Sequence, residues 1–307
     1  MDTIGNAPAL YDWESREFKH EIHMSHLNAF LRCPKQFASK YIYNEERPKP
    51  NSVELSTGRV HHVFLKEQIV RKLQHKPLLT GQEINDYVSD EVEEQADFLE
   101  DGKETELRKD KDVIIQQALV LQSDYIEHVQ PRRTEQKFRI SIPKSPYSLV
   151  GTIDIERVLD KEEMILQNKD FGVDDLKTSS SSPPRHPKGG YKPRGNDHFM
   201  QQTAYSFGAW IANGGAPSDY KQTLNRTVYL VKNKKPVVRN AQFIVTRNDV
   251  LFLYNTLIDF VKCLENQVFM ANPVGWWCAN DKCPIFTQCR KHEVLTLEQI
   301  EIANDNW

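Results

Sequence analysis

Helical spacing of apolar residues marks the first 130 positions of the chain. Apolar side chains recur three and four positions apart in four stretches, which predicts amphipathic helices. Thr80 and Glu83 form a capping-box pattern for the third helix, and Ser25 is a candidate cap for the first. The predicted helices run from Ser25 to Tyr41, over residues 60–73, from Thr80 onward, and over residues 113–129.

A period of two replaces the helical period from about residue 135. Phe138, Ile140 and Ile142 alternate with polar residues, which predicts the start of a β-sheet. Short strands are predicted over residues 149–158, 164–166, 171–176, 227–231 and 242–245. Helices are predicted over residues 199–211 and from Thr246 to about residue 269. Mixed strands with a crossover helix, after a helical amino-terminal part, indicate an α/β or α+β domain with helical additions.

The segment between two predicted elements at residues 178–197 differs in composition from its surroundings. It holds four Ser, four Pro and three Gly without an apolar period, which predicts a long mobile loop. Residues 176–248 carry twelve Lys and Arg against two acids, whereas residues 83–106 carry eleven acids and one Lys. A solvated charged face is one interpretation of the basic segment. Its aromatic and Gln residues also suit a phosphate backbone, and the net charge of −3 means that any nucleic-acid site is local.

No stretch of the sequence approaches the ~18 apolar residues that cross a bilayer, and charged residues are scattered through the first 24 positions. We therefore expect a soluble, unsecreted, cytoplasmic protein without a membrane partner. The phosphate-binding pattern GxxxxGKS/T does not occur, which argues against a built-in nucleotide-driven motor. Three of the five Cys crowd into residues 278–289, a pattern that favours metal binding over disulfides.

Two short acidic motifs carry the candidate chemistry. Gly151-Thr-Ile-Asp154 precedes a predicted hairpin, and Asp175-Leu-Lys177 follows it. Carboxylates on adjacent strands can converge on one divalent cation, and Lys177 shares a face with Asp175 because the strand period is two. Oxygen ligands favour magnesium or manganese. Such a cation lowers the pKa of bound water and offsets charge on a phosphate. Each motif alone is common in proteins.

Two helical motifs could add to such a site. His61 and His62 follow Gly58 near the start of a predicted helix, where a His can supply a nitrogen ligand or serve a purely structural role. Gln201 and Tyr205 lie four positions apart, on one helix face, and can contact a nucleotide strand together. An amphipathic helix with Tyr205 half in the core is the other interpretation.

The cysteines form a fourth motif. Cys278-x4-Cys283-x5-Cys289 can wrap a metal but lacks a fourth ligand, for which Cys33 is the natural candidate. Four Cys can hold a structural zinc or an iron–sulfur cluster. Cys263 lies among apolar residues of a predicted helix and is interpreted as a core thiol.

The order of these motifs resembles the RecB/AddB-type branch of the PD-(D/E)XK nucleases, which includes CRISPR-associated and phage exonucleases with an iron–sulfur cluster. The resemblance covers about residues 25–291 and implies an α/β, restriction-endonuclease-like mixed central sheet flanked by helices. The organisation it implies is an N-terminal extension at 1–24, a helical part at 25–130, a nuclease core at 131–271, and a Cys-rich hook and tail at 272–307.

The resemblance also implies roles for single residues. The implied ligands of the catalytic magnesium or manganese are Asp154, Asp175, the Leu176 carbonyl and His62, with His61 as the alternative. Lys177 is implied as the catalytic lysine, and Gln201 and Tyr205 as contacts to the DNA strand. The implied ligands of a four-iron four-sulfur cluster, or of zinc, are Cys33, Cys278, Cys283 and Cys289. That cluster would staple the two chain ends together.

Three departures from the family pattern bear on these roles. Ile153 stands where the family name has Pro, which is common in this branch. The first gap in the Cys triplet is four residues rather than the two often seen, so zinc remains an alternative to iron. The 178–197 loop is long for its place between DxK and QxxxY.

The sequence thus predicts a metal-dependent deoxyribonuclease, an exonuclease on single strands or DNA ends in recombination, repair or phage DNA metabolism. A helicase or recombination protein on another chain is an expected partner, in a bacterial or phage-infected cell. The alternative is a catalytically weak DNA-binding module with a structural metal cluster, acting with a helicase or integration complex. A zinc-stapled structural protein would explain the cysteines but not the order of the other motifs.

Overall fold

The computed structural model describes residues 9–12, 17–43, 52–100, 102–165, 171–183, 195–232, 235–275, 278–279, 283–285 and 289. The chain divides into two compact units. The first combines Thr3–Pro48 with Asp259–Trp307, and the second is Lys49–Ile258. Residues 184–194 of the predicted 178–197 loop lie outside the described residues. In the part of the chain that is described, no helix is both long and apolar enough to span a membrane.

The first unit begins with short strands and two helices. Its elements are β1 (Tyr11–Asp12), β2 (Glu17–Phe18), β3 (Glu21–His23), α1 (Met24–Arg32) and α2 (Pro34–Tyr41). The single helix predicted from Ser25 to Tyr41 is wrong, because Pro34 lacks the N–H that a continuous helix needs and holds Cys33 in an extended conformation. The predicted Ser25 cap is wrong too, since the N-cap is His23, whose N–H donates to His26 Nδ1 at 3.1 Å.

Aromatic packing holds these helices together. Phe30 and Phe37 lie 5.8 Å apart between ring centroids, and both contact Phe260, at 4.7 and 5.1 Å. Phe260 is carried by α9 (Arg247–Glu265). Large rings contribute most of the apolar area that a unit of this size buries, and edge-to-face contacts add to it.

The second unit opens with four helices that share one apolar core. They are α3 (Val53–Leu73), α4 (Gly81–Ala96), α5 (Lys103–Lys109) and α6 (Lys111–Leu121), and a π-helical turn, Gln122–Ile126, follows α6. The Thr80 cap is confirmed, because the Thr80 N–H donates to Glu83 at 3.1 Å. Helix α3 begins at Val53, before the predicted residue 60, because Ser52 accepts the Leu55 N–H and caps it there.

The remaining elements of this unit form a mixed sheet flanked by helices. They are β4 (Pro131–Ser141), β5 (Ser148–Val158), α7 (Lys161–Ile165), β6 (Phe171–Ser179), α8 (Gly195–Ala212), β7 (Gln222–Val231) and β8 (Val237–Thr246). β5 pairs antiparallel with both β4 and β6, β6 pairs parallel with β7, and β7 pairs antiparallel with β8. The α/β, restriction-endonuclease-like fold class expected from the sequence is confirmed.

One predicted strand is wrong. Residues 164–166 were expected to be extended, but 164 and 165 belong to α7. Asp160 Oδ1 accepts the Glu163 N–H at 2.8 Å, which starts a helical turn, and Arg157 then holds the Glu163 carboxylate with two hydrogen bonds. A local capping contact and one ion pair therefore override the apolar pattern of Met164 and its neighbours.

The two faces of the sheet have different neighbours. On one face Ile155, Leu176 and Val228 join the core of helices α3 to α6. On the other face Asn225 and Thr227 contact α8. Because successive strand residues point to opposite faces, Asp154, Asp175 and Lys177 lie on the α8 side.

Candidate active site

The candidate site lies where β5 and β6 separate. Their antiparallel pairing ends at Ile155 and Asp174, so Asp154 and Asp175 are the next residue on each strand. The Leu176 N–H donates to Asp154 Oδ2 at 3.0 Å, which ties the two strands together beyond their last pair. The structure therefore brings both sequence-predicted carboxylates to one point.

Lys177 completes the DxK motif at the same point. Its Nζ lies 3.0 Å from both Asp175 carboxylate oxygens. Oδ1 accepts a hydrogen bond, whereas Oδ2 is buried and has the ion pair with Lys177 but no hydrogen bond. Because buried carboxylate oxygens usually accept hydrogen bonds, Oδ2 keeps the capacity to bind a further ligand.

The two neighbouring histidines of α3 have separate environments. His62 Nδ1 lies 3.6 Å from Asp154 Oδ2, so it faces the candidate site. His61 is fully buried, and its Nε2 is 2.8 Å from Gln117 Oε1 on α6. Of the two, His62 is the one placed beside the carboxylates.

Burial dominates the electrostatics of the site. It raises the pKa of Asp154 to about 6, an effect that Lys177 and the Leu176 N–H oppose. Burial also raises the pKa of Asp175 above its ordinary value, and the nearby Asp154 charge adds to this shift while Lys177 opposes it. Burial and the Lys177 charge lower the pKa of His62 to about 4, which keeps its imidazole neutral and able to bind a metal.

These groups fit a hard divalent cation by their chemistry. They supply carboxylate oxygens, among them the buried Asp175 Oδ2, and a neutral imidazole. Crowded, desolvated carboxylates with raised pKa values are stabilised when a cation replaces the proton. Among the residues that the structure describes, no three His, Cys, Asp or Glu side chains already stand in ligand geometry.

Helix α8 places the QxxxY pair beside the carboxylates. Gln201 Nε2 donates to the Tyr205 hydroxyl at 2.6 Å, as expected for residues four apart on one helix face. Burial raises the pKa of Tyr205 well above its ordinary value, and the charge of Asp175 adds to this shift while Lys177 opposes it. Tyr205 is thus within electrostatic reach of the DxK motif.

The motif glycines allow close approach of neighbouring elements. A Cβ at Gly58 would lie 3.3 Å from Oγ1 of Thr178, the residue that follows Lys177 on β6. A Cβ at Gly151 would lie 2.7 Å from the Phe138 ring. The first glycine lets α3 approach β6, and the second makes room for the ring under β5.

Glu135 is a site residue that the sequence did not reveal. It lies on β4 between Thr134 and Gln136, which pair with Ile155 and Ile153 on either side of Asp154. Its φ of 52° is unusual for a non-glycine residue, and its carboxylate lies 3.7 Å from Lys66 Nζ. Its charge raises the pKa of both Asp154 and His62. Only the strand register shows this proximity, because no spacing links Glu135 to the other motifs.

The four candidate cluster cysteines lie in the first unit. The Asn272 N–H contacts Cys33 Sγ at 3.4 Å, and Asn272 Nδ2 donates to the Arg32 carbonyl at 3.0 Å. Burial raises the pKa of the Cys283 thiol, and Cys33, Cys278 and Cys289 add to the shift in that order. The Cys283 thiol is thus within electrostatic reach of the other three, although no three of these described side chains stand in ligand geometry. Cys263, expected to be a core thiol, is only half-buried.

The basic segment of residues 176–248 is not one surface. Arg226 is turned inward to Asp174, and Lys177 to Asp175. Five of its twelve basic residues lie outside the described residues, namely Arg185, Lys188, Lys192, Arg194 and Lys234. The charge excess read from the sequence therefore overstates the charge available to a phosphate backbone.

Comparisons with known proteins found one matching family model and similar solved structures. The family model of the PD-(D/E)XK nuclease superfamily matches residues 22–290. The crystal structure of a Eubacterium rectale protein named as a candidate exonuclease is similar, with a TM-score of 0.54, 13% identity and 90% of each chain covered. The crystal structure of SSO0001 is similar at a TM-score of 0.37 and 15% identity, with 92% of this chain and 88% of that one covered. No curated protein matches the chain.

Proposed function

The chain belongs to the PD-(D/E)XK nuclease superfamily, and on that premise we propose that it is a magnesium- or manganese-dependent deoxyribonuclease. The observation that carries the proposal is the convergence of Asp154, Asp175 and Lys177 where β5 and β6 separate. His62 lies 3.6 Å from Asp154 and adds a neutral nitrogen ligand. Metal-assisted phosphodiester hydrolysis can use these parts together.

Each residue has a separate task in this proposal. Asp154, Asp175, His62 and the Leu176 carbonyl would hold the cation, which supplies charge neutralisation at the scissile phosphate and a lowered pKa for bound water. The Lys177 ammonium, held by Asp175, orients the attacking water and stabilises negative charge that develops on the phosphate. Gln201 and Tyr205, linked by their own hydrogen bond, present one polar edge to the DNA strand.

We propose that the substrate is a single strand or a DNA end, and that the protein works in recombination, repair or phage DNA metabolism. The name of the Eubacterium rectale protein is a reason to test DNA ends first. A helicase or recombination protein on another chain would supply such ends. The location consistent with this role is the cytoplasm of a bacterial or phage-infected cell.

The test compares three labelled substrates. Single-stranded DNA labelled at the 5′ end, single-stranded DNA labelled at the 3′ end, and a single-stranded circle are each incubated with magnesium or manganese, with EDTA as the control. We expect both linear substrates to be degraded and the circle to persist. Cleavage of the circle would replace the exonuclease with an endonuclease, and persistence of all three would leave a DNA-binding module. The Asp154→Asn variant separates binding from cleavage, because it should still bind DNA.

We further propose that the four cysteines hold one metal centre. A four-iron four-sulfur cluster and zinc both suit four thiolates, and the raised pKa of Cys283 among three other thiols fits a site that gains stability when metal replaces the protons. The iron form should be brown, absorb near 400 nm and bleach on oxidation, whereas the zinc form should be colourless. Cys33→Ser should lose the metal, and Cys263→Ser, the matched control, should keep it. Full metal content in Cys33→Ser would exclude this ligand set.

A further inference from the structure

Helix α8 has a second polar face, one position away from the QxxxY pair. Gln202 and Ser206 follow Gln201 and Tyr205 by one residue each, and both are fully buried. They face β7 rather than the carboxylates. Apolar side chains would pack α8 on the sheet equally well, so polar residues here need another explanation.

Asn225 is the centre of a buried network that joins this face to β7. Its Nδ2 donates to the Gln202 carbonyl and to Gln202 Oε1, both at 3.0 Å, and its Oδ1 accepts from the Ser206 hydroxyl. Gln202 Nε2 in turn donates to Thr227 Oγ1 at 3.3 Å. Every side-chain amide group of Asn225 and Gln202 has a partner, which is the condition for a buried polar network to stabilise one arrangement.

Such a network fixes position in a way that apolar contacts do not. Hydrogen bonds weaken steeply with distance and angle. They therefore restrict both the rotation of α8 about its axis and its position along β7. Thr227 pairs with Asp175 in the parallel register of β6 and β7. The last hydroxyl of the network therefore lies on the strand residue next to the catalytic carboxylate.

We propose that Asn225, Gln202 and Thr227 are positioning residues that set the distance between the DNA-contacting edge of α8 and the cation-binding carboxylates. This inference rests on the proposed nuclease function. A displacement of α8 would leave DNA bound but move its scissile phosphate out of line. Misplacement of a reacting group by about 1 Å can cost ~100-fold in rate. Loss of the network should therefore change the cleavage rate more than it changes the packing of α8.

The test uses Thr227→Val, which keeps the shape and strand preference of the side chain but removes the hydroxyl. We expect kcat for DNA cleavage to fall about 10- to 100-fold, while KM for DNA changes less than about threefold. Thr227→Ser restores the hydroxyl and should recover most of the rate. Thr223→Val, at an equally buried Thr of β7 whose hydroxyl is not bonded to Gln202, Asn225 or Thr227, is the matched control and should cleave at the wild-type rate.

Two further measurements separate positioning from other causes. The affinity of Thr227→Val for manganese, measured by titration calorimetry, should equal that of the wild type, and its melting temperature should stay well above the assay temperature. Wild-type kcat in Thr227→Val, or a parallel loss of manganese affinity, would overturn the positioning role while leaving the nuclease intact. Absence of cleavage by the wild-type protein would instead overturn the proposed function and this inference with it.

Discussion

Asp174 and Asp175 are neighbours on β6 and have opposite environments. Asp174 faces the helical core, where it accepts hydrogen bonds from Arg157, Arg226 and Tyr125. Asp175 faces α8, where Lys177 is its hydrogen-bond partner and one oxygen has none. Burial would raise the pKa of both carboxyls. Arg226 and Arg157 lower that of Asp174 below its ordinary value, whereas the pKa of Asp175 stays raised.

The difference shows how one strand can serve stability and chemistry at once. A buried carboxylate with two guanidinium partners is fully neutralised and has no capacity left for a ligand. A buried carboxylate with one ammonium partner and a neighbouring carboxylate keeps that capacity, at a cost in stability. Burial alone therefore does not identify a functional acid, and the number of its partners does.

The largest expected effect is on the stability of the protein, and it comes from the face of β6 that carries Asp174. Asp174→Asn removes the buried carboxylate that Arg157 and Arg226 share, although Arg157 keeps Glu163 as a partner, and we expect the free energy of unfolding to fall by about 3–5 kcal/mol. Urea unfolding followed by circular dichroism measures this loss. A loss below about 1 kcal/mol would mean that the two faces do not differ in the way described.

The next largest effect is on the cleavage rate, and it comes from the face of β6 that carries Asp175. Asp175→Asn should lower the cleavage rate at least ~100-fold, about 2.7 kcal/mol, because it removes a cation ligand and the partner of Lys177. Lys177→Ala should lose a similar factor. Their urea midpoints should stay close to that of the wild type, in contrast to Asp174→Asn. Wild-type cleavage by either variant would remove the active-site assignment.

A smaller effect tests how far the charge of the site extends. Glu135→Gln removes one negative charge near Asp154 and should weaken manganese binding about tenfold, or about 1.4 kcal/mol. Lys66→Met removes the cation paired with Glu135 and should strengthen manganese binding. Titration calorimetry of the two variants checks the opposite signs. Equal affinities would place Glu135 outside the site.

The smallest effect compares two tyrosines. Tyr125→Phe removes one hydrogen bond to Asp174 and should cost about 1 kcal/mol of stability without changing the cleavage rate. Tyr205→Phe should instead leave the unfolding midpoint near the wild type and raise KM for DNA a few-fold. If both variants changed the same quantity, the assignment of one tyrosine to each face would be wrong.

Much of this arrangement follows from local sequence signals. The period of two predicts the strand that carries Asp154, and the DxK spacing favours Asp175 over its neighbour Asp174. The capping contact of Thr80 needs only four residues to form. Fold class and the main strands are therefore accessible from the sequence. The functional roles of these residues stay predictions.

The features that the sequence did not reveal depend on contacts distant along the chain or on one strong local constraint. Glu135 joins the site only because β4 pairs with β5 in one register. Asn225 and Gln202 are ordinary polar residues until α8 is laid on β7. Pro34 is visible in the sequence, yet the apolar period around it predicts one helix where Pro34 separates two.

The contact between Asn272 and Cys33 has a consequence for the order in which parts of the protein fold during synthesis. The two residues are 239 positions apart, and closing a loop of that length costs about 5 kcal/mol in chain entropy. The segment Thr3–Pro48 leaves the ribosome before the second unit, but its partners in the same unit are translated after residue 258. The second unit, continuous from Lys49 to Ile258, has no such delay. This segment, although synthesised before the second unit, is thus among the last parts of the described chain to reach its final contacts.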